Sequence, residues 1–197
     1  ESTTVSNKVL KNDIKEIDNE DVNIDSISEY LQVMERLFLL ENTKPYSPNI
    51  RSSLRVKQSE KRHFVDPSLA VAILKLNKEK LLGNLDYLGL LFEALVERDL
   101  LIYLEANDLN MYHYQDYNND EIDAIIENED GSWCGIEIKL GAHQIEQAAQ
   151  NLLKINNKIK EKNGKPAKSL CVICGLTNAA YRRKDGVMVV PLTSLKD

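Results

Sequence analysis

No apolar run in the 197 residues approaches the ~20 needed to cross a bilayer, so no membrane partner is expected. The opening segment, Glu1 to Ser6, lacks the basic start and apolar stretch of a secretory signal. It also does not begin with Met, and the chain is expected to be a fragment. There is no excess of positive charge. A formal net charge of −6 argues against a surface coated for nucleic acid and leaves room only for a local basic patch. Cysteine is scarce and odd in number: Cys134, Cys171 and Cys174. Cys171 and Cys174 form C-x-x-C, but they lie inside the apolar run Leu170 to Leu176 and no second ligand pair exists. Buried reduced thiols are expected there rather than a redox or zinc pair, which fits a cytoplasmic location. Internal repeats and low-complexity tracts are absent as well. At this length the chain can bury a real core, as one ordinary domain or two small ones.

What is present centres on Asp123 to Leu140. Ile122, Ala124 and Ile126 alternate with Asp123, Ile125 and Glu127, a period of two that predicts a strand. Asp130-Gly131 is a hairpin signal. From Trp133 to Leu140 a second strand follows, with Glu137 and Lys139 on one face and Ile136, Ile138 and Leu140 on the other. Such a hairpin brings Asp123 near Glu137 and Lys139. Two carboxylates and a lysine at one point can hold a divalent cation and steady an anionic transition state. The plainer alternative is a cross-strand ion pair between Asp123 and Lys139, worth ~0.2–1 kcal/mol.

Upstream, Thr4 to Ile17 has helical spacing at Val5, Val9, Leu10 and Ile14. Ser26-Ile27-Ser28-Glu29 reads as a capping box, opening a helix with Tyr30, Leu31, Met34, Leu37 and Phe38 inward. Ile50 to Val65 is short, basic and partly alternating, and reads as a hairpin. Two helices and a hairpin are the elements of a winged helix. Arg51, Arg55, Lys57, Lys61 and Arg62 on that hairpin can meet DNA phosphates. Against this, the supposed recognition helix carries Glu29, Glu35 and Glu41 against Arg36, a poor face for phosphates, which favours an interdomain adaptor with a solvated basic hairpin. Asp66-Pro67 opens another helix with Leu69, Ile73, Leu74 and Leu76 inward. The domain boundary is placed in Lys75 to Leu85, giving a winged-helix-like domain over 1–77 and a second domain over 85–197.

In the second domain, Tyr87 to Leu101 is a helix with the stripe Leu88, Leu91, Phe92, Leu95 and Val96. Glu93 and Glu97 share another face, and Glu97 is expected on its solvated side. Strands follow at Asn110 to Gln115 and in the central hairpin. Next come a helix at His143 to Lys162 with Ile145, Ala148, Leu152, Ile155 and Ile159 inward, and a strand from Lys168 covered on both faces. Gly186 to Leu192 is the last strand.

An acidic helix residue, then a strand Asp, then E-x-K on the next strand resembles the PD-(D/E)xK nuclease superfamily. The fold this implies is α/β and restriction-endonuclease-like, a mixed sheet flanked by helices. The resemblance makes Glu93, Asp123, Glu137 and Lys139 the catalytic set. It implies Mg²⁺ held by Asp123, Glu137 and Glu93 with the Ile138 carbonyl as a further ligand, and Lys139 positioning the attacking water. Ile122 stands where the family pattern has Pro, and Gln147 is followed four residues on by Asn151, so the Gln-x-x-x-Tyr of RecB-like members is missing. Over nearly the whole chain, Lys61-Arg62-His63-Phe64-Val65-Asp66, Leu90 to Val96, Glu121-Ile122-Asp123 and Glu137-Ile138-Lys139 occur in one order. That order resembles the C-terminal half of a widespread group of prokaryotic AAA+ ATPases, in which a P-loop module precedes a winged helix and a nuclease-like domain. No G-x-x-x-x-G-K-[ST] is present, so the ATPase module is expected upstream in the same chain. The resemblance implies Mg²⁺-dependent phosphodiester hydrolysis on DNA. The alternative is a non-catalytic module that docks the ATPase onto a protein partner.

Overall fold

The structure, a computed structural model, describes residues 4–48, 56–57 and 59–195. Two helices, α1 (Asn7–Asp18) and α2 (Ile24–Arg36), pack on each other, and Asn7 donates to the Ser28 hydroxyl across the pair at 2.9 Å. Helix α2 begins before the capping box read from the sequence. Asn23 is its N-cap and accepts from the Asp25 amide, while Ser28 donates to the Ile24 carbonyl inside the helix. Asn is as good a cap as Ser, and an Asp in the first turn suits the helix dipole.

The chain then enters β1 (Leu40–Pro45) and, later, β2 (Lys61–Phe64). These two pair antiparallel, Leu40 against Phe64 and Thr43 against Lys61. Of the segment read as a hairpin, residues 50–55 and 58 lie outside the described residues; the described partner of the basic strand is upstream, in Leu-Glu-Asn-Thr-Lys-Pro. That segment has no apolar alternation to announce it. Arg51 and Arg55 lie outside the described residues. Helices α3 (Ser68–Ile73) and α4 (Lys78–Leu82) follow. Asp66 accepts from the Ser68 amide at 2.9 Å, so α3 starts slightly later than expected. Ile73 and Leu74 are 67% and 54% exposed where the sequence reading had them inward.

The remainder is α5 (Leu85–Glu105), β3 (Asn110–Gln115), β4 (Glu121–Glu127), β5 (Trp133–Lys139), α6 (Ile145–Glu161), β6 (Ser169–Cys174), β7 (Tyr181–Arg182) and β8 (Met188–Pro191). Strands β3, β4 and β5 form an antiparallel meander, and α6 carries the chain over to β6, parallel to β5. All eight strands lie in one mixed sheet of order β2-β1-β3-β4-β5-β6-β8-β7, with β1 parallel to β3. The fold is thus α/β, a mixed sheet flanked by helices, and the β1–β2 pair from the region read as a separate small domain extends that sheet.

Two apolar cores lie on the sheet's two faces. On one, Ala148, Leu152, Ile155 and Ile159 of α6 pack with Ile125, Trp133, Val172 and Cys174. The other joins Val96, Leu100 and Leu104 of α5 to Ala124, Ile136, Ile138 and Ile173. Cys174 belongs to the first core and Cys171 packs against the second. Three residues apart on a strand, they face opposite ways and cannot clasp one ion. All three cysteines are free. The β4 register slips between Tyr112, opposite Ile125, and Tyr114, opposite Ile122. Two residues of β3 therefore span three of β4, and the irregularity falls at Asp123–Ala124. Bulges of this sort re-aim side chains and occur beside functional sites. Among the described residues no helix is long and apolar enough to cross a membrane.

The packing predicts that Leu152→Ala, at a position with no exposed surface, lowers unfolding free energy by about 2–5 kcal/mol. Asn157→Ala, on the exposed side of the same helix, changes it by no more than about 0.5 kcal/mol. Urea titration of the two variants checks which face of α6 is buried; comparable losses would contradict it.

Candidate functional site

Asp123 sits at the β4 irregularity with 5% of its surface exposed. Its Oδ2 accepts from the Ile138 amide at 2.7 Å and from Lys139 Nζ at 3.0 Å. Both donors come from β5. Lys139 Nζ also lies 2.6 Å from Glu137 Oε2, and Asn151 of α6 donates to Glu137 Oε1 at 2.8 Å. The E-x-K spacing puts Glu137 and Lys139 on one side of β5, and one ammonium group then bridges two buried carboxylates. Burial opposes the charge on Asp123, but Lys139, Lys61 and the Ile138 amide outweigh it and hold the carboxyl below its usual range. For Glu137, burial and then the Asp123 charge dominate, and its pKa is pushed up to about 8. Burial alone would lower that of Lys139; Asp123 and Glu137 raise it instead.

Glu93 and Glu97, one turn apart on α5, meet a second lysine. Lys61 of β2 is 7% exposed, with Nζ 2.5 Å from Glu93 Oε1 and 2.6 Å from Glu97 Oε1. Burial and then Asp123 raise the Glu93 pKa to about 8, against the opposing pull of Lys61. Lys61 is shifted upward, because Glu97, Glu93 and Asp123 overcome its own burial. His63, two residues along β2, has no exposed side-chain surface and lies 3.8 Å from Glu97 Oε2. Burial lowers its pKa. His113 is lowered to about 4 by burial and by Lys61, and its neutral ring donates from Nε2 to the Ser59 carbonyl at 2.9 Å.

Lys61, Glu93, His113 and Asp123 line one cleft of about 320 Å³. Glu93 and Lys139 line a neighbouring one of about 720 Å³ with His143 and Gln144. Glu137 and Lys139 line a third, of about 370 Å³, against Gln147 and Asn151. Asp123 and Glu137 thus each contact Lys139, while Glu93 faces the same cleft as Asp123 and is tied to Lys61.

The basic residues read from the sequence are dispersed. Lys61 points inward as described. Lys57 donates to Asn119 at 2.6 Å, and Arg62 is half-buried, its Nε without a hydrogen-bond partner among the described residues. The sequence reading missed Glu97, which has no exposed surface instead of a solvated position, and it missed His63 and the inward role of Lys61. One signal was there: α5 is apolar on nearly every side, so an acid within it has little water to face.

In kind, the donors suit a hard divalent cation. They are carboxylate oxygens, and Glu93, Glu97, Asp123 and Glu137 together outnumber the two ammonium groups that neutralise them. Among the described residues, however, no three such side chains already surround one point; Lys139 stands between Asp123 and Glu137.

An α/β chain with a closed carboxylate–lysine set on a mixed sheet is the class that fold and site define. A family model described as a domain of unknown function (DUF4143) matches residues 88–195, and the chain belongs to that family, which is known in AAA-ATPase-associated proteins. A second model, also a domain of unknown function (DUF8612), matches residues 2–80. No curated protein and no solved structure matches.

The raised pKa values of Glu93 and Glu137 carry a pH dependence. A carboxyl whose folded pKa exceeds its unfolded one binds more protons in the folded state, so stability falls as pH rises between the two. The depressed histidines act oppositely, but only below their unfolded value near 6.5. In metal-free buffer, unfolding free energy is therefore expected to fall from pH 6.5 to 8, and to fall less steeply in Glu137→Gln. Urea titrations across that range check it; a wild-type stability that rises with pH would contradict it.

Proposed function

We propose that this site hydrolyses phosphodiester bonds of DNA with a divalent cation, as the PD-(D/E)xK resemblance implies. The observation that carries the reading is the meeting of Asp123, Glu137 and Lys139 within 3.0 Å of one ammonium nitrogen, with Glu93 lining the cleft beside Asp123. The element order supports it as well: an acid on α5, an Asp on the middle strand of a meander, E-x-K on the next strand, then a helix and a parallel strand. Asp123, Glu137 and Glu93 would hold Mg²⁺, with the Ile138 carbonyl available as a neutral ligand. When bound, such an ion supplies an activated water and draws charge from the phosphate oxygens.

The chain's own groups do the rest. Asp123 is kept ionised by Lys139, Lys61 and the Ile138 amide, so it is ready as an anionic ligand without first losing a proton. Asn151 and Lys139 orient Glu137 from two sides. Lys139 is the most exposed of the set, with a quarter of its side chain reaching solvent, and its charge can orient water or stabilise the developing negative charge on a phosphate. The β1–β2 pair closes the α5 side of the cleft through Lys61.

A second reading has its own observation. Tyr30, Val33, Leu37 and Phe38 leave 65%, 49%, 61% and 82% of their surface exposed, an apolar face on and just after α2. In this reading the chain is a docking module that joins an upstream P-loop ATPase module to a protein partner, and its carboxylate–lysine set is structural.

For the hydrolytic reading, wild-type protein is expected to nick or digest DNA in Mg²⁺ or Mn²⁺ and not in chelator. Lys139→Ala should slow that cleavage by about 100-fold or more while still binding Mn²⁺, and Asp123→Asn should lose both. Gel assays on purified full-length variants check this. No cation-dependent cleavage by wild type, or equal cleavage by Lys139→Ala, would hand the site to the docking reading.

A further inference from the structure

Lys61 belongs to the stretch matched by the second family model, residues 2–80, yet its charge lies among acids of the first, residues 88–195. We infer that Lys61 is a positioning residue of the proposed cation site: it holds Glu93 toward Asp123, so the site is complete only when the β1–β2 pair is seated on β3. This rests on the cation-site reading given above and names a component that reading did not include.

Three observations carry the inference. The first is geometric. One ammonium nitrogen lies 2.5 Å from Glu93 and 2.6 Å from Glu97, and Lys61 and Glu93 both line the cleft that Asp123 lines. Without Lys61, the Glu93 carboxyl loses the ammonium group that fixes its direction. The second is burial. A charged triad at this depth pays a desolvation cost that an apolar trio of similar volume would avoid, so packing alone gives no reason for it. Its place on the wall of the cleft does. The third is topology. Strand β2 pairs with β1, and β1 with β3, so Lys61 reaches the site only through that edge. His63, on the same side of β2, stands against the other oxygen of Glu97, which leaves the Glu93 side of the triad facing the cleft.

Lys61→Met alone leaves two buried acids without their cation and is expected to unfold or loosen the chain. The informative variant is Lys61→Met with Glu97→Gln, which removes one charge of each sign. Mn²⁺ binding is measured by calorimetry on the full chain for wild type, for this pair, for Glu93→Gln and for all three substitutions together, with metal-free melting recorded for each. The pair and Glu93→Gln should each weaken Mn²⁺ binding by about 10- to 100-fold, the usual cost of losing a residue that orients a ligand. The triple variant should bind no more weakly than Glu93→Gln, because Lys61 acts through Glu93. A purely structural Lys61 would shift melting and leave the Mn²⁺ affinity of the folded pair at the wild-type value. That result, or losses that multiply in the triple variant, overturns the inference while the cation reading stands. A wild-type protein that takes up no Mn²⁺ overturns both.

Discussion

A carboxylate with 5% of its surface in contact with water stays ionised only if the protein replaces the water it has lost. Asp123 receives its hydrogen bonds from one neighbouring strand, from the Ile138 amide and the Lys139 ammonium, both on β5. The amide bond ties the acid to the backbone of β5, where the ladder from Glu127–Trp133 to Ala124–Ile136 gives way to a side chain. The slip against β3 at this same point frees Asp123 from regular pairing. Local irregularity, burial and charge therefore meet at one residue.

From Asp123 the charge balance spreads to both sides of the sheet. Lys139 carries it to Glu137, and Asn151 anchors Glu137 to α6. Toward α5 the link is through space: Lys61 feels Asp123 as well as the two acids it touches. Neither lysine has a single partner. Each serves two carboxylates, and the acids remain in excess. Two carboxyls that hold a proton up to about pH 8 at the wall of an open cleft can each give it up to a bound cation, in a way that a closed one-to-one ion pair cannot. Strands β1 and β2, matched by a different family model from the remainder, bring the second lysine from the sheet's edge.

Much of this was legible in the sequence where a single element decided it. The inward positions of α6 follow from 3.6-residue spacing, and Ile145, Ala148, Leu152, Ile155 and Ile159 are all buried. The β4–β5 hairpin follows from period two and Asp130-Gly131, with Gly131 at φ 72°, and the E-x-K spacing placed Glu137 and Lys139 together. What failed depended on partners distant in sequence. Leu40 to Pro45 has no apolar alternation; it is a strand because β2 and β3 offer edges on either side. Glu97 looked like a solvated acid because its neutralising lysine lies 36 residues away. Lys61, in a basic run, looked like a surface cation for the same reason. Charge patterns along a chain do not reveal which charges will meet inside.

The central claim is that the Asp123 cluster is a cation site and not a self-contained ion-pair lattice. Diffraction from crystals soaked in Mn²⁺, with anomalous maps, tests it most directly. The account predicts an anomalous peak in contact with Asp123 and Glu137, with Lys139 Nζ moved from between them. Density that leaves Lys139 bridging the two carboxylates with no peak there, or Mn²⁺ only on surface acids such as Glu129, would contradict it.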